Sequence, residues 1–299
     1  MKVLVAGGSG LLGREITDAL LGAGHDVSVM SRNRPAGEAL DARATWVSGD
    51  VTEPSSLADP LRAAEVVVDA VQFPNSPIEN PKKGYTFERI DLGGTKSLAD
   101  AAKAAGVGHF IGISGAGAAE EGKYHWLRCK WQEEQHIKGT GLPYTIFRPS
   151  WIYGPRDVSL NRFLGFARFL PFVPVIGNGK TRINPLFVDD LGKHVAAAVS
   201  NEGAVNRTFE IGGPEELTMD QVVKTALNVA GKKRFLLHQP VGLMKLGASV
   251  LQHVPGRPLT PDAVDFITMD GVVDTGELRE TFALPLTPLE EALRTYLPR

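Results

Sequence analysis

The sequence predicts an α/β fold in which a doubly wound parallel sheet is joined to a smaller C-terminal lobe. Apolar segments of strand length alternate with segments of helical periodicity, as expected for parallel strands connected by helices. The first unit is the clearest, because an apolar strand at 2–6 is followed by a glycine-rich turn and an amphipathic helix. Proline and glycine become frequent from 149 to 185, where the chain is expected to leave the sheet.

The strands are predicted from short apolar or alternating segments. The segment 65–71 is almost wholly apolar, as expected for a central strand that is covered on both faces. The segment 25–31 alternates between apolar and polar residues. The predicted strands are 2–6, 25–31, 45–48, 65–71, 109–114, 144–148 and 208–211.

The helices are predicted from apolar periodicity and from residues that begin or end a helix. Thr218 and Gln221 form a capping box, and Thr287 with Pro288 begins the last helix. The helix at 241–253 is apolar on most of its surface, so we expect it to pack within the lobe, with a docking role as the alternative. The predicted helices are 11–22, 55–63, 86–105, 124–138, one ending at 199, 218–229, 241–253 and 287–297.

The composition is ordinary for a globular chain. Of 299 residues, 43% are hydrophobic and 22% are charged, and 32 Lys and Arg nearly balance 34 Asp and Glu. This balance excludes the strongly basic character of a general nucleic-acid binder. The single cysteine, Cys129, excludes an intramolecular disulfide and fits a reducing compartment.

Nothing in the sequence predicts export or a membrane span. Met1 leads directly into the first strand, and no segment reaches the roughly 20 apolar residues that cross a bilayer. The most apolar segment, 163–177, is interrupted by Arg168, Pro171 and Pro174. We interpret it as core and a proline-rich loop, with an apolar substrate cleft or peripheral membrane contact as alternatives. We expect a cytoplasmic monomer or homodimer.

Three glycines follow the first strand at regular spacing. Gly7, Gly10 and Gly13 form a G-x-x-G-x-x-G pattern at the point where the strand ends and the helix begins. Glycine lets the backbone approach a ligand closely, and the amides of a helix N-terminus favour an anion. The motif therefore predicts a site for the pyrophosphate of a dinucleotide, although glycine also serves simple tight turns.

The end of the second strand bears on the choice of dinucleotide. In this fold an acidic residue there accepts from the 2′-hydroxyl of NAD, whereas arginine suits the 2′-phosphate of NADP. The sequence has no acid there but has Arg32 and Arg34. We therefore favour NADP over NAD, with Arg32 as the main contact and Arg14 or Arg34 as helpers. The alternative is that these arginines are solvated loop cations.

Further motifs are spread over nearly the whole chain. Besides 7–13 they are Gly49-Asp-Val51, Asp91-Leu-Gly-Gly-Thr95, Phe147-Arg-Pro-Ser-Trp-Ile-Tyr-Gly-Pro155 and Phe187-Val-Asp-Asp190. Together they resemble the extended or atypical short-chain dehydrogenase/reductase superfamily. They look most like the group of epimerase/dehydratase-like proteins that includes the dinucleotide-binding accessory subunit of respiratory complex I.

The resemblance implies a Rossmann-type sheet and a set of nucleotide contacts. The glycine turn would hold the pyrophosphate, the ends of the third and fourth strands would flank the adenosine, and the end of the sixth would lie near the nicotinamide. With Arg32, the implied contacts are Gly7, Gly8, Ser9, Gly10, Leu11, Leu12, Gly13, Asp50, Val51, Ala70, Val71, Lys130, Pro149 and Ser150. The dinucleotide-binding domain would be 1–155 with 181–211 returning to it, and the substrate lobe 156–180 with 212–299.

The resemblance also implies a catalytic helix, and there the match is incomplete. Active members place a Tyr four residues before a Lys, with a Ser or Thr at the end of the preceding strand. The lysine lowers the pKa of the phenol and holds the nicotinamide ribose. Ser114 and Lys130 fit their positions, but the residue four before Lys130 is Trp126. An indole cannot exchange the proton.

Two other arrangements of this helix stay open. Tyr124 and Arg128 also have a spacing of four residues, but arginine is a poor substitute for lysine on the ribose. Alternatively, Lys130 orients the ribose while Tyr124 reaches the substrate from the preceding turn. These two residues lie about 240° apart around a regular helix.

The leading functional prediction is an NADP(H)-binding oxidoreductase or epimerase that acts on a carbonyl or hydroxyl compound. Ser114 would polarise the substrate oxygen, Tyr124 would donate the proton, and Lys130 would orient the ribose. The substrate would be a small and fairly apolar molecule, and no metal or nucleic acid is expected. The alternative is a protein that keeps its dinucleotide as a structural or redox-sensing ligand without turnover. Trp126 favours that alternative.

Overall fold

The computed structural model describes residues 1–35, 40–254 and 259–297. Its strands are β1 (Lys2–Ala6), β2 (Asp26–Ser31), β3 (Thr45–Ser48), β4 (Val66–Asp69), β5 (His109–Ile113), β6 (Tyr144–Pro149), β7 (Ile152–Tyr153), β8 (Phe172–Ile176), β9 (Arg182–Ile183), β10 (Leu186–Phe187), β11 (Arg207–Ile211), β12 (Leu217–Thr218) and β13 (Phe235–Gln239). Its α-helices are α1 (Leu11–Gly22), α2 (Ala58–Leu61), α3 (Gly93–Ala104), α4 (His125–Gly139), α5 (Ser159–Phe169), α6 (Val188–Ala198), α7 (Met219–Val229), α8 (Val241–Leu251), α9 (Pro261–Thr268), α10 (Gly276–Phe282) and α11 (Leu289–Tyr296).

Seven strands form one parallel sheet in the order β11-β6-β5-β4-β1-β2-β3. This confirms the predicted doubly wound α/β class. The chain moves outward from β1 through β2 to β3, then returns to β4 on the other side of β1. Ligands of such sheets bind beyond the carboxyl ends of the strands where the order reverses. In this sheet that place lies between β1 and β4.

Alternate side chains of β1 contribute to two different cores. Val3 and Val5 pack in a cluster with residues of α1 and α6, whereas Leu4 and Ala6 pack in a cluster with residues of α3 and α4. All four side chains are at most 2% exposed. Complete burial of a valine or leucine side chain stabilises a fold by about 1.5–3 kcal/mol. The apolar segment 2–6 therefore forms a central strand because both of its faces are covered.

Two predicted helices differ from the structure. The segment 55–63 contains only a short turn at Pro54–Ser56 and the four-residue α2. Pro60 cannot continue a longer helix there, because it lacks the amide hydrogen. The predicted helix at 86–105 begins with a wider π-helical turn at Phe87–Leu92 before α3. Asp91 belongs to that turn and is completely buried.

The segment 163–177 is more regular than predicted. It contains the end of α5 and then β8, where a proline-rich loop was expected. The strand β13 pairs with β8 in parallel and was not predicted from the sequence. In the described part of the chain, β8 pairs with one strand, β13, so its other edge needs no amide donor. Pro174 has no amide hydrogen and is therefore tolerated within β8.

The predicted helix at 241–253 exists as α8, but it does not pack as expected. Ala248 is the one residue of α8 that is buried, and Leu243, Leu246 and Val250 are exposed. The expectation that this helix packs within the lobe is therefore wrong for its outer face. The predicted lobe range 212–299 also includes residues 255–258 and 298–299, which lie outside the described residues.

Within the described ranges, no helix combines the length and the apolar character that crossing a membrane requires. The same residues contain no group of three or more His, Cys, Asp or Glu side chains arranged to hold a metal ion.

Candidate functional site

The glycine turn lies between β1 and α1, at the carboxyl edge of the sheet. Gly7 has a φ of +77°, and a Cβ atom there would lie 2.6 Å from the carbonyl oxygen of Ala70. A Cβ atom at Gly13 would overlap the carbonyl oxygen of Gly7. Both positions therefore require glycine, the first because of its backbone conformation and the second because the helix approaches the turn closely.

Gly10 begins α1 without a side chain that could cap the helix. Its amide donates to the Gly7 carbonyl at 2.9 Å, which closes the turn. Arg14 Nε donates to the Ser9 carbonyl at 3.0 Å, so a guanidinium also lies beside the turn. Leu11 and Leu12 form the first residues of the helix. An uncapped helix N-terminus with a neighbouring cation suits an anionic group.

The ends of the neighbouring strands supply the other predicted contacts. Ala70 and Val71 follow β4, and the Val71 amide donates to Asp69 Oδ1 at 3.1 Å. Asp50 follows β3, and its Oδ1 accepts from the amide and hydroxyl of Thr52 at 2.9 and 2.8 Å. Val51 is buried against α3. The sheet order thus brings these positions to one edge, as expected for a nucleotide site.

Arg32 follows β2, next to β1 in the sheet. It is exposed, as is Arg34. Within the described residues neither guanidinium has a carboxylate partner, so both charges are available to an anion. Both arginines therefore lie at the strand end where the sequence analysis expects the contact with a 2′-phosphate.

Lys130 lies in a buried cluster of charges on α4. Its Nζ is 2.9 Å from Glu133 Oε2 and 3.4 Å from Asp91 Oδ1, and its side chain is 12% exposed. Asp69 lies nearby and accepts from the Thr95 hydroxyl at 2.7 Å. The ammonium group of Lys130 is thus the positive charge nearest to three buried carboxyl groups, those of Glu133, Asp91 and Asp69.

Burial sets the protonation of this cluster. It raises the pKa of Glu133 to about 8 and that of Asp91 to about 6, although the nearby ammonium group opposes both shifts. Burial also lowers the pKa of Lys130, but the carboxylates of Glu133 and Asp91 more than offset it, so the net shift is upward. Lys130 therefore stays charged, and the Glu133 carboxyl takes up a proton at a higher pH than an exposed glutamate does.

Ser114 follows β5, where the sequence places it, but its hydroxyl is already used. It donates to Glu134 Oε1 at 2.6 Å, and Ser114 is 9% exposed. Glu134 also accepts from Arg148 at 2.8 and 2.7 Å. Polarising a substrate oxygen would require the hydroxyl hydrogen to leave Glu134.

Tyr124 and Trp126 stack on each other at the start of α4. Their ring centroids are 4.5 Å apart and the planes differ by 6°. Tyr124 is the N-cap residue and lies outside the regular helix. The buried Trp126 lies one turn before Lys130 and packs 5.7 Å from the ring of Phe266. In the rival register, Arg128 Nη1 donates to the carbonyl of Gly122 at 2.7 Å.

A cleft of about 660 Å³ separates Tyr124 from the lobe. On its far side His238 Nε2 lies 2.9 Å from Asp220 Oδ1. The residues that line the cleft are Lys123, Tyr124, Gly177, Asn178, Thr181, His238, Pro240, Val241, Asp265 and Thr268. Tyr124 therefore faces a space large enough for a small molecule, whereas Lys130 does not line it.

Pro149 and Ser150 lie at the end of β6. The Ser150 hydroxyl donates to the Gly271 carbonyl at 2.5 Å and accepts from the Asn184 amide at 3.2 Å. Its side chain therefore fixes the segment around Gly271 to the sheet. Because this hydroxyl is already used, a nicotinamide at this position would be contacted by the backbone of Pro149 and Ser150.

Several residues of the site were missed from the sequence. Asp69, Asp91 and Glu133 surround Lys130, and Glu134 holds Ser114. A carboxylate at the end of the apolar segment 65–71 was an available signal, because an acid that ends a buried strand needs a partner. Glu133 gave a weaker signal through its three-residue spacing from Lys130.

A glycine turn and an uncapped helix, set where a doubly wound parallel sheet reverses its order, define a dinucleotide-binding protein. Comparison with known families identifies the family. Residues 7–162 match the family model described as NAD(P)H-binding, which is more than half of the chain. The chain belongs to this family, within the extended short-chain dehydrogenase/reductase superfamily.

Two relatives are similar to this chain over most of its length. The photosystem II assembly factor Ycf39 of Cyanophora paradoxa is 34% identical over 257 residues, which cover 82% of this chain and 74% of that protein. The mitochondrial NADH dehydrogenase (ubiquinone) 1 alpha subcomplex subunit 9 of Mus musculus is 28% identical over 304 residues, covering 98% of this chain and 79% of that protein.

Solved structures confirm the architecture. UDP-glucose 4-epimerase from Thermotoga maritima, with UDP-glucose, superposes with a TM-score of 0.78 at 20% identity, covering 99% of this chain and 97% of that one. The Thermus thermophilus UDP-glucose 4-epimerase complex with NAD gives 0.77 at 19% identity, covering 99% and 98%. At these identities the likeness shows the fold alone.

Proposed function

We propose that this protein holds NADP(H) at the glycine turn as a structural or redox-sensing ligand, without tyrosine-based turnover. The observation that carries the proposal is Trp126, which occupies the position one turn before Lys130. Its indole is buried and packed against aromatic neighbours, and it has no group that acts as an acid or a base near neutral pH. A proton-transfer residue is therefore missing where the resemblance would place it.

The surroundings of Lys130 support the same proposal. Its ammonium group is paired with Glu133 and Asp91 inside the protein. Breaking such a buried pair is costly, because it leaves a carboxylate without a partner. Lys130 therefore serves the interior of the fold. The names of the two relatives, an assembly factor and a subunit of a larger enzyme, also favour a binding role.

NADP(H) is favoured over NAD(H) because Arg32 and Arg34 are exposed beyond β2 with no carboxylate partner in the described chain. A guanidinium group can form charge-assisted hydrogen bonds with a 2′-phosphate. We expect NADPH to bind at least tenfold more tightly than NADH, since such a bond contributes about 1.5–3 kcal/mol.

Calorimetry with NADPH and NADH tests the cofactor assignment. Arg32→Ala should weaken NADPH binding about tenfold or more and leave NADH binding nearly unchanged. Arg34→Ala is the matched control and should have the smaller effect. Equal affinities of the unmodified protein for both nucleotides would contradict the assignment to NADP(H).

The second candidate is an oxidoreductase or epimerase that acts on a small carbonyl or hydroxyl compound. It is favoured by one observation, namely that Tyr124 lines the 660 Å³ cleft together with Lys123 and His238. In this candidate Tyr124 is the proton donor, and the Ser114 hydroxyl turns from Glu134 to the substrate oxygen. Hydride chemistry would be supplied by a nucleotide held at the glycine turn.

Turnover separates the two candidates. NADPH oxidation is followed by absorbance with a panel of aldehydes and ketones, first for the unmodified protein and then for Tyr124→Phe. Tight binding without oxidation across the panel supports the ligand-holding function. Oxidation that Tyr124→Phe abolishes assigns the enzyme instead. The domain ranges, the cytoplasmic location and the monomer or homodimer expected from the sequence remain predictions.

A further inference from the structure

The C-terminal lobe exposes an unusual number of large apolar side chains. Of the eleven such side chains exposed in the described part of the chain, eight belong to two segments, 159–182 and 231–254. We call these eight the apolar face. They are Phe169, Phe235, Leu237, Leu243, Leu246, Val250, Leu251 and Val254. Concentrations of this kind mark contact surfaces, whereas single exposed apolar residues are ordinary.

One part of the apolar face is the outer side of the β8–β13 ribbon. Phe235 pairs with Phe172 and Leu237 pairs with Pro174, so these residues point to the same side. The alternating residues Val173 and Val175 point the other way, and both are buried in the lobe core. Phe235 is 59% exposed and Phe169, just before β8, is 86% exposed. The ribbon thus uses one side for its core and presents apolar side chains on the other.

The other part is the outer side of α8. Leu243, Leu246 and Val250 follow a helical spacing of three and four residues, and each is at least 60% exposed. Lys245 is the one charged residue in α8, and its Nζ is 2.7 Å from Asp265 on α9. The exposed stripe of this helix is therefore apolar and carries no free charge.

The charge of the same region is strongly one-sided. Residues 158–188 and 221–261 contain ten Lys and Arg and no Asp or Glu. The rest of the chain contains 22 Lys and Arg and 34 Asp and Glu. The net charge of −2 therefore combines these two basic segments with an acidic remainder of the chain.

Some of these cations lie directly beside the exposed aromatic rings. Arg234 Nε donates to the carbonyl of Ala167 at 3.1 Å, which brings the 232–235 segment against the end of α5. Arg168, Lys232 and Lys233 are exposed, and in the described chain none has a carboxylate partner. Exposed aromatic rings with unpaired cations next to them are typical of proteins that bind at a lipid headgroup layer.

We propose that the apolar face binds the surface of a bilayer that contains anionic lipids. The apolar side chains would enter the headgroup layer while Arg168, Lys232 and Lys233 contact lipid phosphates. A second copy of this chain is a poorer occupant, because the exposed cations Arg168, Lys232 and Lys233 of the two copies would face each other. The proposal goes beyond nucleotide binding and does not depend on it.

Vesicle co-sedimentation of the full chain tests the proposal. The probes are phosphatidylcholine vesicles with about one third phosphatidylglycerol, and phosphatidylcholine vesicles alone. Binding should require phosphatidylglycerol and weaken with added salt, because the cations are exposed. Lys232→Glu with Lys233→Glu should reduce the vesicle affinity at least tenfold, since each cation near an anionic surface contributes about fivefold.

Two further variants separate the charges from the apolar contacts. Phe169→Ser with Phe235→Ser should also weaken binding at least tenfold, because two exposed rings no longer enter the headgroup layer. Lys82→Glu with Lys83→Glu, an exposed lysine pair outside the lobe, is the matched control and should bind as the unmodified protein does. Unchanged thermal melting and circular dichroism confirm that each variant is folded.

Several outcomes would overturn the proposal. One is equal binding to both kinds of vesicle, and another is an equal loss of binding in the Lys82 and Lys83 control. A third is no vesicle binding at all at millimolar lipid. If sedimentation velocity then shows a dimer that the Phe169 and Phe235 variant loses, the apolar face belongs to a second copy.

Discussion

Replacing Glu133 by Gln tests the buried cluster around Lys130. Burial raises the pKa of Glu133 from an ordinary value of 4.5 to about 8. Between these values the folded protein keeps a proton that the unfolded chain has already lost. A carboxyl with a raised pKa therefore makes the folded state less stable, relative to the unfolded state, as pH rises through this range. Glutamine keeps the shape of the side chain and has no proton to lose.

The magnitude follows from the two pKa values. For each pH unit over which the folded and unfolded states differ by one bound proton, the unfolding free energy changes by about 1.4 kcal/mol. From pH 6 to pH 8 the contribution of Glu133 changes by about 2 kcal/mol, because its ionisation in the folded state is half complete at pH 8. We expect the unfolding free energy of the unmodified protein, minus that of Glu133→Gln, to fall by this amount. Asp91 contributes to both proteins and largely cancels.

Urea unfolding at pH 6 and pH 8 measures this difference. Glu120→Gln is the matched control, because Glu120 is exposed and its variant should follow the unmodified protein at both pH values. A difference for Glu133→Gln that is independent of pH, or that grows as pH rises, would refute the argument that burial raises the pKa of this carboxyl.

Two further variants test the turn and the C-terminal helix. Gly13→Ala would place a Cβ atom against the Gly7 carbonyl oxygen, so we expect about 1–3 kcal/mol of lost stability and at least tenfold weaker NADPH binding by calorimetry. Gly22→Ala, with no atom within 4 Å of the new Cβ, should not destabilise, and similar losses in both variants would contradict the close-packing argument. Asp190→Ala removes the carboxylate that accepts from the Thr287 amide and hydroxyl at 2.7 and 2.9 Å, so its unfolding free energy in urea should fall by about 2 kcal/mol. A loss below about 0.5 kcal/mol would mean that water replaces these bonds.

The fold was predictable because its signals are local. Strand length, apolar periodicity and the glycine spacing are set within a few residues, and Gly7 and Gly13 are needed for reasons of backbone geometry. The positions at the carboxyl ends of β1, β3 and β4 then follow from the rule that parallel strands end at one edge.

The rest of the candidate site depends on distant pairings. Glu133 and Asp91 belong to different helical segments, and only the folded chain shows that both contact Lys130. Ser114 fits its predicted place, but the hydrogen bond to Glu134 spans 20 residues and has no local signal. Trp126 was identifiable from its spacing, whereas the packing that buries it was not.

The lobe was the least predictable region. The strand β13 follows a basic segment and pairs with β8 across more than 50 residues, so no local pattern indicates that pairing. The apolar character of α8 was visible in the sequence, but apolar helices are usually buried, and here most of that surface is exposed. Composition indicates an apolar surface without indicating what covers it.

The hydroxyl of Ser150 has a mechanical consequence for the molecule. It joins the tip of β6 to the Gly271 carbonyl and the Asn184 amide, which are remote from it along the chain. A ligand that displaced this serine would break both hydrogen bonds at the same time. The position of the segment around Gly271 is therefore coupled to what binds next to the end of β6.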